Sequence, residues 1–354
     1  MPYLSRNSSR AILVAALVAA LVGTAITASR SGATTPGRNG LIAFTRYRLQ
    51  NSPLWSEIWV ANPDGTGAHK VSHSPKAVED DQAHWSPDGR WIVFDRCTSG
   101  PCSIWLVRPD GSAQRRLSPA CTSTRPATVC ADDSGPSFAP DGRHVVFTHA
   151  WGRIKHSSIG DSIEHSSIAT SDLEGKHLEI LRQLAPYAGD LQSPRISPNG
   201  KLIVFDRYNS ALARPAGGDA LFIAGVHGGA PRQLTPWRES AGSPDWSPDG
   251  KEILFKRYIP GAGELTPGTN LYTIGVDNTG LRRVTNVGSN HYVLAGSFSP
   301  DGTSIVFATD EDATLNPRGN TFADVFTIRL GTTAAAPVTR TANLDGWPTW
   351  GRER

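Results

Sequence analysis

The sequence predicts an all-β toroid, a six-bladed β-propeller of four-stranded antiparallel blades, on three observations. A turn phrase recurs as Trp85-Ser86-Pro87-Asp88-Gly89, Phe138-Ala139-Pro140-Asp141-Gly142, Ile196-Ser197-Pro198-Asn199-Gly200, Trp246-Ser247-Pro248-Asp249-Gly250 and Phe298-Ser299-Pro300-Asp301-Gly302. Successive copies lie about 50 to 58 residues apart, the period of one blade. Finally, Gly (35), Pro (26) and Trp (10) are plentiful and charged residues are only 19 %, which suits many short strands joined by turns.

Each repeat carries strand signals in a fixed order. An inner strand ends at the turn phrase. The second strand is an apolar run closed by Phe, at Leu41 to Phe44, Trp91 to Phe94, His144 to Phe147, Leu202 to Phe205, Glu252 to Phe255 and Ser304 to Phe307. The third is apolar and aromatic, as in Glu57 to Val60 and Ser103 to Leu106, and leads into turns such as Pro63-Asp64-Gly65, where Gly accepts a positive φ. The fourth reads Lys70-Val71-Ser72, Arg116-Leu117-Ser118, Gln233-Leu234-Thr235, Arg283-Val284-Thr285 and Pro337-Val338-Thr339, with a degraded copy near Ile180-Leu181. The sixth inner strand is found at the far end, in Gly346-Trp347-Pro348-Thr349-Trp350-Gly351. It is expected to complete the blade that Leu41 opens, pairing the two ends of the chain and protecting sheet edges.

The pattern Pro-x-Trp-Ser-Pro-Asp-Gly-[Lys/Arg]-x-Ile-x-Phe, best kept at Pro244 to Phe255 and at Trp85 to Phe94, resembles the WD-like repeat of the TolB family. The resemblance covers residues 40–351 and implies the propeller alone, without the N-terminal α/β domain of TolB proper.

Ahead of the repeats, Arg6 and Arg10 precede an uncharged stretch from Ala11 to Ala28 and then small residues. Residues 1–33 therefore read as an export signal or an N-terminal anchor, and 34–39 as a linker. The location expected is extracytoplasmic, that is periplasmic, secreted or associated with the cell envelope. Cysteine usage agrees: Cys97 and Cys102, and Cys121 and Cys130, each sit close enough to close a local loop, with free buried thiols as the alternative. A net charge of +3 with scattered Lys and Arg speaks against a nucleic-acid partner, and the closed toroid is expected to be a monomer.

The long connections between second and third strands and between blades all fall on one face, together with both cysteine pairs, and such loops commonly bind. Asp80, Asp133 and Asp345 stand five residues before their inner-strand aromatics, with Glu79, Asp132 and Asp190 beside or near them. These carboxylates are expected at the channel mouth, where Asp80, Asp133 and Asp345 would hold a cation such as calcium or receive a basic side chain from a partner. Arg46, Arg96, Arg207 and Arg257 end second strands at the same level, so inter-blade salt bridges are the competing reading. Tyr47, Tyr208 and Tyr258 follow Arg in a repeated Phe-x-Arg-Tyr phrase and supply planar area at the rim, or simple packing.

No Gly-x-Ser-x-Gly elbow, His-Glu-x-x-His helix or phosphate-binding loop occurs. Oligogalacturonate lyases resemble these repeats and use histidines around manganese, which singles out His84, with His149 and His291 as companions. The His156 and His165 phrases read as local duplication. The expected function is a non-catalytic binding propeller that recognises a protein, peptide or glycan. The alternative is a metal-dependent carbohydrate-active enzyme centred on the pore.

Overall fold

A computed structural model describes residues 34–48, 55–98, 101–118, 129–155, 162–183, 190–209, 218–258, 268–288, 291–310, 323–341 and 343–354. The proposed export segment, most of the long loops, His156 and Cys121 lie outside the described residues. The architecture is an all-β propeller of four-stranded antiparallel units.

The first unit joins β1 (Asn39–Tyr47), β2 (Ser56–Ala61) and β3 (His69–Lys70) to the final strand, β24 (Leu344–Arg352). The second contains β4 (Glu79–Trp85), β5 (Ile92–Cys97), β6 (Ser103–Val107) and β7 (Arg115–Arg116). Then come β8 (Val129–Phe138) to β11 (Glu179–Gln183), with β9 (His144–Lys155) and β10 (Ser162–Asp172) between them. The next sheet is β12 (Asp190–Ile196), β13 (Leu202–Tyr208), β14 (Asp219–Gly225) and β15 (Gly228–Gln233). It is followed by β16 (Gly242–Trp246), β17 (Glu252–Tyr258), β18 (Thr269–Gly275) and β19 (Arg282–Arg283). The last is β20 (Val293–Phe298), β21 (Ser304–Thr309), β22 (Asp324–Arg329) and β23 (Ala335–Pro337).

One feature departs from six separate blades. The described strands make four four-stranded sheets and one eight-stranded sheet, because the first two units are stitched together. Ser56 pairs in parallel with Glu79, its amide donates to Val78 O (3.3 Å), and its hydroxyl donates to Asp80 O (2.9 Å). A small residue at the start of β2 lets the two backbones meet there.

The chain's ends pair as the sequence suggests: Ile42 lies opposite Trp350 and Arg46 opposite Asp345. Apolar cores run between successive units. Ile58 and Val60 pack with Trp85 and Phe94, Ile104 and Leu106 with Phe138 and Phe147, and Val146 and Ile168 with Ile196 and Phe205. Leu221 and Ile223 pack with Trp246 and Phe255, and Leu254 and Leu271 with Phe298 and Phe307. Val306 and Val325 return the series to Ile42, Phe44 and Trp350. The turn phrases interlock as well: the glycines at 142, 200, 250 and 302 pack against Pro87, Pro140, Pro198 and Pro248 of the preceding turns. Within a turn the Ser hydroxyl donates to Asp and receives an amide further on, as in Ser86 Oγ to Asp88 Oδ1 (2.7 Å) and Trp91 N to Ser86 Oγ (2.8 Å).

The outermost strands end earlier than their sequence signal. Ladder pairing stops at Lys70, Arg116, Gln233, Arg283 and Pro337. The following Val or Leu turns into the core, and the next hydroxyl replaces a ladder carbonyl. Ser72, Ser118, Thr235, Thr285 and Thr339 each accept the amide of a third-strand residue at 2.9 Å.

Trp350 is the anchor of the closing strand, 7 % exposed, with its indole donating to Gly40 O (3.1 Å). Trp350→Ala is predicted to cost about 3–5 kcal/mol in urea unfolding; a loss under 1 kcal/mol would mean that β24 contributes little to holding the ends together.

Candidate functional site

The innermost strands share a kink that decides what faces the channel. Gln82, Gly135, Ser193, Ser243 and Trp347 all adopt positive φ, between 48° and 60°, and the cross-strand register slips at each of them. Such a bulge re-aims the residues on either side. The residue two positions after the kink then faces the axis, so His84, Arg195, Asp245 and Thr349 line the central channel with Ser297.

Above the kink, each of the predicted acids is tied to the strand paired with its own. Asp345 takes the Arg46 guanidinium through both oxygens (2.7 and 2.8 Å), and Asp80 takes Arg96 in the same way (2.6 and 2.8 Å). Asp133 accepts from His149 Nδ1 at 2.6 Å. Each pair stands directly opposite in register on adjacent strands, so these are contacts within one sheet rather than between blades. The guanidiniums of Arg46 and Arg96 also stack over Trp59 (4.4 Å) and Trp105 (4.2 Å). Asp80, Asp133 and Asp345 therefore do not converge as ligands for calcium; among the described residues no group of three or more metal-capable side chains comes together.

The remaining rim residues are divided among different environments. Arg257 binds Glu239 (2.8 Å) and lies over Tyr272, while Arg207 lies over Phe222 and Trp237. Tyr47 donates to Asp81, Tyr208 stands opposite Asp190, and Tyr258 opposite Thr269. Glu79 faces Cys97 across β4 and β5. The histidines are equally scattered. His84 Nδ1 meets Trp85 O (3.1 Å), and burial beside Arg195 pushes its pKa down to about 3. His291 is near Asp310 (3.4 Å), and His165 stacks on Trp151.

Two predicted acids do come together. Asp132 and Asp190 line one cavity of about 150 Å³ with Gln82, Ser134, Thr148 and Ser166, between the inner strands of two neighbouring sheets. The Cys97–Cys102 disulfide holds the hairpin whose Cys102 amide donates to Asp132 Oδ1 (2.9 Å), and Asp133 N returns a bond to Cys102 O (3.3 Å). The partner proposed for Cys130, Cys121, is outside the described residues. Asp190 Oδ1 is buried without a hydrogen-bond partner among the described residues. Burial first, and the Asp132 charge second, hold its carboxyl up at about 6; burial also raises Asp132.

Sequence reasoning missed the acids nearest the axis. Asp81 lies opposite Asp95 on β4 and β5, and Asp206 occupies the same place after its second-strand Phe. Asp81 accepts from Thr45 Oγ1 (2.8 Å), Tyr47 and the Gln82 amide. Asp95 accepts the Gly135 amide (2.9 Å), but Asp95 Oδ1 and Asp206 Oδ1 have no partner. Burial raises all three carboxyls, Asp81 and Asp206 to about 6. The signal was available: the residue after Phe94 and Phe205 is Asp, and Arg195 and Asp245 each follow a proline, in Pro194-Arg195-Ile196 and Pro244-Asp245-Trp246.

Comparison with known proteins now has a geometry to refer to. TolB of Acinetobacter baumannii superposes with a TM-score of 0.61 at 19 % identity, over 89 % of this chain and 67 % of that one. A putative TolB of Agrobacterium tumefaciens gives 0.55 at 17 % identity, over 87 % and 92 %. This chain carries a TolB-like propeller. An oligogalacturonate lyase in complex with manganese shares the fold at TM-score 0.52 and 12 % identity, over 89 % and 77 %. In sequence, the Tol-Pal system protein TolB of Gluconobacter oxydans is 32 % identical over 111 residues, which are 31 % of this chain and 21 % of that protein. An uncharacterized Agrobacterium fabrum protein is 31 % identical over 133 residues, 36 % and 40 % of the two lengths. The matched stretches thus span well under half of these relatives. No family model matches.

The raised Asp190 carboxyl makes a signed prediction. Between about pH 4 and 6 the unfolded chain releases this proton while the folded chain keeps it, so its contribution to stability falls as pH rises through that window. Asp190→Asn is expected to melt a few degrees above wild type at pH 7.5, on the order of 1 kcal/mol after solvent screening, and level with it at pH 3.5. An equal difference at both pH values in thermal melts would contradict this assignment.

Proposed function

We propose that this protein is an exported, non-catalytic binding propeller. Its stitched eight-stranded sheet works as two blades, giving a six-bladed ring closed by β24 against β1. The ring engages a protein or peptide of the cell envelope through its long-loop face, and a basic side chain of the partner enters the Asp132–Asp190 cavity. The observation that carries this reading is the pair of carboxylates sharing one small cavity, with Asp190 Oδ1 unpartnered. A lysine ammonium brings both the missing donor and the charge that relieves the Asp132–Asp190 repulsion. The cavity's other polar residues, Ser134, Thr148 and Gln82, are suited to orient such a group.

Export is supported by the basic and then apolar character of residues 6–28, by the Cys97–Cys102 disulfide, and by likeness to proteins named for the Tol-Pal system. The enzyme alternative rests on likeness to the manganese-bound lyase. It finds less support, because His84, His149 and His291 each have a separate local partner.

The test uses a fluorescent octalysine peptide and full-length protein at low salt, followed by anisotropy. Wild type is expected to bind more weakly below pH 6, as Asp190 takes up its proton. The Asp132→Asn, Asp190→Asn double variant is expected to lose at least ten-fold in affinity; unchanged binding by that variant would remove this cavity from the account.

A further inference from the structure

The segment ahead of β1 is buried although it belongs to no sheet. Thr34 and Thr35 are 4 % and 7 % exposed. Thr34 Oγ1 donates to Asp245 Oδ2 at 2.8 Å, and Asp245 is one of the residues facing the channel axis. The same oxygen receives the Phe298 amide at 2.9 Å. Further along, Gly37 N donates to Pro300 O (3.0 Å), in the turn between β20 and β21. Asn39 and Asp301 exchange two hydrogen bonds of 3.0 and 3.2 Å beside that turn. A side chain at Gly37 would collide with Arg352, whose Cδ and Nε stand 2.7 Å from where its Cβ would be. From β1 back toward lower residue numbers, the segment thus passes the turn phrase at the floor of the ring and places Thr34 against Asp245, which lines the channel. Beside it, among His84, Arg195, Asp245, Ser297 and Thr349, a void of only about 30 Å³ is left, room for a water or two.

We propose that residues 34–38 are an internal ligand of the central channel: a plug at its tight-turn end, in which Thr34 is held by Asp245 as its receptor. The channel is then a well open only on the long-loop face. Asp245 is buried and must keep its donors. Without the Thr34 hydroxyl, Asp245 Oδ2 retains the Phe298 amide and the nearby Ser297 and Arg195, one donor short of its present set. The contact of Thr34 with Asp245 is one neutral donor on a carboxylate, so an incoming segment bearing a hydroxyl or ammonium can replace it there. A partner that reaches down the well to Asp245 would expel the plug. This inference is independent of the Asp132–Asp190 cavity, and its failure would leave the octalysine result untouched.

The test reads access to the channel from the floor. Ser297→Cys, in the full chain, places a thiol beside Asp245, and its modification by a cationic methanethiosulfonate reagent is timed by mass spectrometry against the parent chain. Adding Thr34→Asp sets like charge against Asp245 and should expel the plug. Labelling of Cys at 297 is expected to accelerate at least five-fold, while Thr34→Ser, which keeps the hydroxyl, should leave the rate unchanged. An acceleration below five-fold in a folded Thr34→Asp chain overturns the plug. Should circular dichroism show that variant unfolded, Thr34→Val is judged by the same five-fold criterion.

Discussion

The structure depends on one pairing, that of the last strand with the first. β24 lies antiparallel to β1, and Trp350 sits opposite Ile42 at the seam. A row of sheets with free ends would expose two ladders of unpaired backbone groups and an uncovered apolar face. The seam removes both, because Phe44 and Trp350 share a core with Val306 and Val325 of the final repeat. The buried, two-pronged contact of Arg46 with Asp345 fixes the register of this junction, since a slip of one residue would leave a charge without its partner.

Closing the ring has an electrostatic consequence. Every inner strand is brought toward one axis, so acidic residues that are far apart in sequence become neighbours in a confined space. The protein answers in two ways. Towards the loop-rich end, Asp345 and Asp80 are matched by Arg46 and Arg96 directly across the strand pair, and Asp133 by the His149 imidazole. Among the described residues Asp81, Asp95, Asp206 and Asp190 have no such partner across the strand pair, and burial holds their carboxyls high. The paired set builds the wall; the unmatched set holds the Asp190 carboxyl on which the proposed basic partner rests.

The repeat made the fold readable. The second-strand runs, apart from Trp91 just ahead of β5, the third-strand aromatics and the last inner strand at Trp347 to Trp350 fall within observed strands. The outer strands were read too late in the chain because Val-Ser and Leu-Thr look like strand residues, whereas their hydroxyls end the ladder by capping the third strand. The candidate site was harder, for a specific reason. Side-chain alternation can be counted along a strand only while the pleat is unbroken. Gln82, Ser193 and Ser243 break it by turning to positive φ, none of them glycine, so nothing in composition announces the kink. Counting five residues back from the aromatics found the acids that pair with Arg and His, and passed over Asp81, Arg195 and Asp245. Asp132 and Asp190 are legible because each lies one position outside that count, six residues before Phe138 and Ile196. The stitching of the first two units through Ser56 and Glu79 was likewise illegible, since one parallel residue pair leaves no pattern.

Amide hydrogen exchange followed residue by residue tests closure most directly. If the seam holds the ring, amides of Asn39–Tyr47 and Leu344–Arg352 that pair across it will exchange together, at the slow rate of the buried inner strands. Fast, independent exchange of these two segments while β12, β16 and β20 stay protected would contradict a ring closed by its own ends.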